Sequence, residues 1–125
     1  MTKETREKLT VLVVDDEPAV RDALKLVLDA SGYVVCLAET GRAGTNLARD
    51  QHFHVMIVDL DLPDTSGLEV IKSIRELQPA IVIILITAQV TAPALAQAQS
   101  FGVIEILSKP FRPEDILQLI SAVRP

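Results

Sequence analysis

Aromatic side chains are scarce: three phenylalanines, one tyrosine and no tryptophan in 125 residues. Hydrophobic residues still make up 49% of the chain, so its core must be built from Val, Ile, Leu and Ala. That balance suits parallel strands covered by helices better than a β-sandwich. Cysteine is limited to Cys36, which excludes an internal disulfide and fits a reducing compartment. Cys36 lies in an apolar run and reads as a buried, inert thiol. Basic residues are outnumbered, 12 against 17 acids, for a formal net charge of −5. Duplex binding rests on clustered Lys and Arg, so direct recognition of nucleic acid is not expected. The longest apolar run, Ala80 to Ile86, falls far short of the ~20 residues that a membrane span needs. Residues 1–9 are polar and mixed in charge, unlike a secretory leader. The expectation is one cytoplasmic domain over residues 9–125, without membrane insertion, preceded by a flexible leader or linker end over residues 1–8.

What is present is an alternation of two patterns. Thr10 to Val14 is a β-branched run that stops at Asp15-Asp16-Glu17-Pro18, and Pro18 suits the first turn of a helix. Val20, Ala23, Leu24, Val27 and Leu28 recur at helical spacing, and Gly32 is a good stop. Tyr33 to Leu37 reads as a second strand, and Gly41 to Asp50 as a weaker helix carried by Ala43, Leu47 and Ala48. Val55 to Val58 runs into Asp59, where Pro63 blocks further ladder and Ser66-Gly-Leu-Glu69 opens a helix as a capping box. Leu68, Ile71, Ile74 and Leu77 form that helix's stripe. Ala80 to Thr87 is the next strand, and Thr91-Ala-Pro93 starts a helix whose body, Ala94 to Ser100, carries no charge. Val103 to Leu107 and a stripe of Ile116, Leu119, Ile120 and Val123 complete five strand–helix units. Parallel crossovers are right-handed, so the helices divide between both faces of one sheet. The expected fold is α/β: a doubly wound five-stranded parallel sheet in order 2-1-3-4-5, the commonest arrangement for five such units.

That topology brings the ends of strands one, three, four and five to one edge, where open α/β sheets bind ligands. The residues delivered there are Asp15 and Asp16, then Asp59, then Thr87 and Ala88, then Lys109. Each has a plain structural explanation alone: Asp16 as a helix cap, Thr87 in a local hydroxyl bond, Lys109 as a surface amine. Together they form a chemical set. Three converging carboxylates repel one another unless a cation lies between them. An all-oxygen site selects a hard ion, and Mg²⁺ is the usual one beside a phosphoryl group. A lysine and a hydroxyl supply donors for phosphoryl transfer, which is mostly positioning and charge neutralisation. His52 and His54 flank Phe53 before strand three and lack a third ligand, so they read as solvated or capping residues rather than a metal site.

The motifs carrying these residues resemble those of the receiver domains of response regulators in two-component signalling. Val-Asp-Asp-Glu-Pro at 14–18 is similar to the family's acidic pair, and Val-Asp-Leu-Asp-Leu-Pro-Asp-Thr-Ser-Gly at 58–67 to its phosphoacceptor strand and loop. Leu-Ile-Thr-Ala at 85–88 and Leu-Ser-Lys-Pro-Phe at 107–111 match the remaining two motifs, and the likeness covers residues 9–124. The resemblance implies a flavodoxin-like switch in which Asp59 accepts a phosphoryl group from the phosphohistidine of a sensor histidine kinase or phosphotransfer protein. It implies that Asp15, Asp16, Asp59 and the backbone carbonyl of Asp61 hold Mg²⁺. Thr87, the Ala88 backbone N–H and Lys109 would meet the phosphoryl group, with Lys109–Pro110 a cis peptide. The output would be a downstream domain or protein, and the chain would be a regulator rather than an enzyme. One position departs from the pattern: Ile106 stands where the family usually has a switching aromatic residue.

Two other readings compete. Haloacid-dehalogenase-type phosphatases also use a D-x-D nucleophile, but on the first strand and with the acidic pair last. A pseudo-receiver, acting as a fixed interaction module, commonly lacks the acidic set that is complete here.

Overall fold

The computed structural model describes residues 8–124, so the expected leader falls almost wholly outside the described residues. Five strands and five helices alternate along the chain: β1 (Thr10–Val14), α1 (Pro18–Ala30), β2 (Val34–Ala38), α2 (Gly41–Asp50), β3 (Val55–Asp59), α3 (Gly67–Leu77), β4 (Val82–Thr87), α4 (Ala92–Ser100), β5 (Glu105–Ser108) and α5 (Pro113–Ile120). All four strand pairings are parallel, in the expected order β2-β1-β3-β4-β5. β1 and β3 lie side by side with connections leaving in opposite directions, which is the switch point of the sheet.

Side chains alternate across the sheet and divide the core in two. Leu12, Val14, Met56, Val58, Ile83 and Leu85 pack against Val70, Ile71 and Ile74 of α3 and against Ala48 and Ala98 of α2 and α4. Val11, Val13, Val55, Ile57, Ile84 and Ile86 pack against Leu24 and Leu28 of α1 and Ile116 and Ile120 of α5. β1, β3 and β4 are therefore apolar on both faces, as their unbroken hydrophobic runs require.

Element ends differ from expectation where periodicity carries no signal. β2 starts one residue late, at Val34, and β4 two residues late, at Val82, because Pro79 and Ala80 form a turn. β5 lies at Glu105–Ser108 rather than 103–107, and α5 ends at Ile120, before Val123. In α3 the buried face is Val70, Ile71 and Ile74, while Leu77 is 41% exposed. Ser66 caps α3 by accepting from Leu68 N–H. Cys36 is only half-buried, because β2 is an edge strand. His54 is structural: its Nδ1 accepts the Thr10 N–H at 3.0 Å and ties β3 to the start of β1.

Two long-range polar ties fix the helices. Arg75 of α3 donates to the carbonyls of Phe101, Pro79 and Ile81, joining the end of α4 to the α3–β4 turn. Burial among carbonyls pushes the Arg75 guanidinium pKa down. Asp64, in the loop after β3, accepts from the first two amides of α2, Gly41 at 2.8 Å and Arg42 at 2.9 Å. These bonds hold the exposed Asp64 carboxyl below the ordinary carboxylate range. Among the described residues no helix is long and apolar enough to cross a membrane.

Candidate functional site

Register builds the site. Val14 pairs with Val58 across β1 and β3, so the next residues, Asp15 and Asp59, leave the two strands side by side. Asp59 pairs with Ile86 on β4, and Thr87 pairs with Ser108 on β5. Lys109 follows directly, its N–H donating to the Thr87 carbonyl at 2.7 Å. The next peptide, Lys109–Pro110, is cis.

These side chains meet. Lys109 Nζ lies 3.0 Å from Asp59 Oδ2 and 3.1 Å from Asp15 Oδ2, and it is hydrogen-bonded to Glu17 Oε1. Asp15 and Asp59 are buried while Lys109 is mostly so, which makes these charges hard to screen. The other oxygens are held by backbone: Asp15 Oδ1 accepts Glu17 N–H at 2.8 Å, and Asp59 Oδ1 accepts Asp61 N–H at 3.1 Å. Asp15 Oδ2 makes its ion pair but has no aligned hydrogen bond. Burial pushes the Asp15 pKa up, and the neighbouring Asp59 charge adds to this against the opposing Glu17 N–H and Lys109 bonds. For Lys109, burial works downward, but hydrogen bonds to Glu17, Asp59 and Asp15 outweigh it and the net shift is up.

The chain after Asp59 is tightly folded back. Gly67 N–H donates to the Leu60 carbonyl at 2.7 Å, and Asp61 bridges to Ser66. A Cβ on Gly67 would lie 2.3 Å from the Asp59 carbonyl oxygen and 2.8 Å from Leu60 Cα. Only glycine permits that approach.

Not every expected residue joins the cluster. Asp16 is exposed, and Glu17 rather than Asp16 occupies the N-cap of α1. Thr87 is buried, but its hydroxyl is turned into its own loop, donating to Gln89 O and accepting from Gln89 N–H. Ala88 and Asp61 are exposed at the rim. Ile106 is half-buried and packs with the core on the α3–α4 side. Glu17 was not singled out by sequence; its one signal was adjacency to the acidic pair, which a turn before Pro18 explains equally well.

The donor set suits a hard divalent cation. Oxygens of Asp15, Glu17 and Asp59 lie within 4.8 Å of one another. One ammonium among these three carboxylates leaves an excess of negative charge, and Asp15 Oδ2 lacks a full complement of donors.

Fold and site define a class: a doubly wound α/β domain whose switch-point edge gathers buried carboxylates around a single lysine. The family model for the response regulator receiver domain matches residues 11–121, and the chain belongs to that family. Among its relatives, the transcriptional regulatory protein KdpE of Mycobacterium tuberculosis is 38% identical over 115 residues, which are 91% of this chain and 50% of KdpE. The transcriptional regulatory protein FixJ of Rhizobium meliloti is 32% identical over 89% of this chain and 54% of its own. The chain thus spans about half the length of the curated relatives it matches. A CheY-like receiver domain from Methanospirillum hungatei superimposes with a TM-score of 0.89 at 28% identity, covering 92% of each chain. A response regulator from Burkholderia pseudomallei, solved with a phosphorylated aspartic acid, a calcium ion and citrate, gives 0.83 at 32% identity over 88% of this chain and 65% of that one.

Proposed function

We propose that this domain is a phosphoacceptor switch in which Asp59 takes a phosphoryl group from the phosphohistidine of a sensor histidine kinase or phosphotransfer protein. The observation that carries the reading is the Asp59 carboxylate itself: buried at the end of β3, with one oxygen on Lys109 and the other on the Asp61 N–H. In the transfer, an Asp59 oxygen forms the new P–O bond as the P–N bond to the donor imidazole breaks. The electron pair stays on that nitrogen, which is then protonated. Lys109 and the Asp61 N–H fix the carboxylate, and a lysine ammonium can follow charge onto the phosphoryl oxygens. Thr87 and the Ala88 N–H stand at the same edge to meet those oxygens after rearrangement of their loop.

Mg²⁺ would be held by Asp15, Asp16, Asp59 and the Asp61 carbonyl, with Asp16 turning in from the rim. When bound, it supplies neutralisation of the charge that collects on the carboxylates and the phosphoryl group.

A cleft of about 450 Å³ opens beside Lys109, lined by Ala19, Val20, Ala23 and Leu24 of α1 with Phe111 and Pro113. Leu26, three residues beyond Ala23 on α1, is 72% exposed. This surface suits a helix of the phosphodonor protein, which must bring its histidine to Asp59. On the far side, α4 is uncharged, and Val90, Leu95 and Ile104 are exposed near it. That face suits the output domain or protein. The switch would act in the cytoplasm and regulate rather than turn over substrate.

Intact mass after incubation with Mg²⁺ and acetyl phosphate tests the reading. The wild type should gain one phosphoryl group, and Asp59→Asn, folded normally, should gain none. Use of the donor should stop near one equivalent, apart from slow self-hydrolysis. An equal gain by Asp59→Asn would overturn the assignment, and sustained rapid turnover would favour a phosphatase.

A further inference from the structure

Glu17 has a place in the site that neither its sequence position nor the mechanism above assigns. Its backbone is fixed on both sides: its N–H donates to Asp15 Oδ1, and its carbonyl accepts from Val20 and Arg21 at the start of α1. Its side chain is 56% exposed, yet the carboxylate reaches back to Lys109 Nζ. An ammonium has three N–H donors. Here one is bonded to Glu17, one to Asp59, and the remaining one faces Asp15. All three groups around the resting ammonium are carboxylates, and its two aligned hydrogen bonds go to Glu17 and Asp59.

The three partners are not equally free to leave. The Asp15 side chain is 0% exposed, so separating it from the ammonium strands a buried charge. Asp59, 5% exposed, becomes the group that bears the phosphoryl oxygens and keeps the lysine beside it. Glu17 can rotate into water, where exposed pairs are weak. We propose that Glu17 is the exchangeable partner of Lys109: it holds the ammonium before phosphorylation and gives up its N–H to a phosphoryl oxygen on Asp59. Glu17 is thus a positioning residue, acting through Lys109. It keeps the lysine aimed at the acceptor edge in the resting protein and opposes phosphorylation by competing for the same donor.

The proposal rests on the phosphoacceptor reading, and the test separates the two. The whole chain, as wild type, Glu17→Gln and Glu17→Ala, is labelled with ¹³C and ¹⁵N and treated with acetyl phosphate at saturating Mg²⁺. In the resting protein both variants should move the Lys109 ¹³Cε and ¹⁵Nζ signals. In the phosphorylated protein, variant and wild-type signals should coincide. The rate of phosphoryl uptake should rise about two- to five-fold in Glu17→Ala, the kinetic equivalent of losing an exposed ion pair. Glu17→Gln, whose amide oxygen still accepts weakly, should rise less. Lys109 signals that stay put in the resting variants, or that shift equally in both states, overturn the exchange. So does an unchanged or lower rate in Glu17→Ala. A wild type that gains no phosphoryl mass sinks the phosphoacceptor reading and the exchange together. Normal wild-type uptake beside indifferent variants sinks the exchange alone.

Discussion

Asp15 shows how burial and pairing oppose one another within a single side chain. Its carboxylate is fully buried, accepts one backbone N–H and touches Lys109, yet its pKa is raised, first by burial and then by the Asp59 charge. The folded protein therefore holds this proton more tightly than the unfolded chain does. Stability from this group is present below the ordinary value of 3.8 and is lost as pH rises through the folded value. Without divalent cation, Asp15→Asn should unfold at higher urea than wild type at neutral pH, with the gain shrinking as pH falls toward 3.8. The amide oxygen preserves the bond from Glu17 N–H, while the charge and its ion pair with Lys109 are removed together. Urea melts at the two pH values decide it, and a loss of stability at neutral pH would mean that pairing with Lys109 outweighs burial. Asp15 and Asp59 are legible in the sequence because each ends an apolar run, and Lys109 because it follows the last strand before Pro110. Glu17 is not, because its contact spans 92 positions and no local pattern marks it.

At the scale of elements, the β3–α3 connection is tightly constrained. Its first helical residue, Gly67, lies against the carbonyl of Asp59 itself. Gly67→Ala must push that backbone outward, and overpacking of this kind costs roughly 1–3 kcal/mol. The expected result is a urea midpoint lowered accordingly, together with slower phosphoryl uptake, because the displaced unit carries the proposed acceptor, Asp59. A full-rate Gly67→Ala protein of normal stability would show that the loop yields freely. Strand existence was readable from sequence, since β1, β3 and β4 are buried on both faces and their hydrophobic runs are unbroken. Strand ends were less so at the sheet edges. β2 and β5 are only partly buried, so hydrophobicity does not mark where pairing starts. Thr87 was found as a strand-end hydroxyl, but its bonds to Gln89 depend on loop geometry that no spacing announces.

At the scale of the molecule, the sheet has the order commonest for five strand–helix units, and register does what spacing alone does not. It sets Asp15 beside Asp59 and lets β5 deliver Lys109 to both. The two cores answer to different elements, α1 and α5 on one face, α2, α3 and α4 on the other. The proposed donor cleft and the uncharged α4 surface consequently belong to opposite layers, joined through the strand ends. Ile106 packs on the α4 side, with no ring to swing between exposed and buried positions, so the strand-end loops and the side chains that tie them are the candidate paths between the layers.

The carboxylate of Asp64 makes one such path observable. It belongs to the loop that leaves Asp59, but it shields the Gly41 and Arg42 amides at the head of α2. Those two protons therefore act as a remote reporter of a loop to which they do not belong. Solvent deuterium should replace them slowly while the loop is docked and faster when it lifts, since exchange follows local opening. If phosphorylation shifts the loop, deuterium uptake at Gly41 and Arg42 will change while that of Leu24 and Leu28, in the opposite layer, stays level. Unchanged uptake at Gly41 and Arg42 in fully phosphorylated protein would show that the loop keeps its resting place.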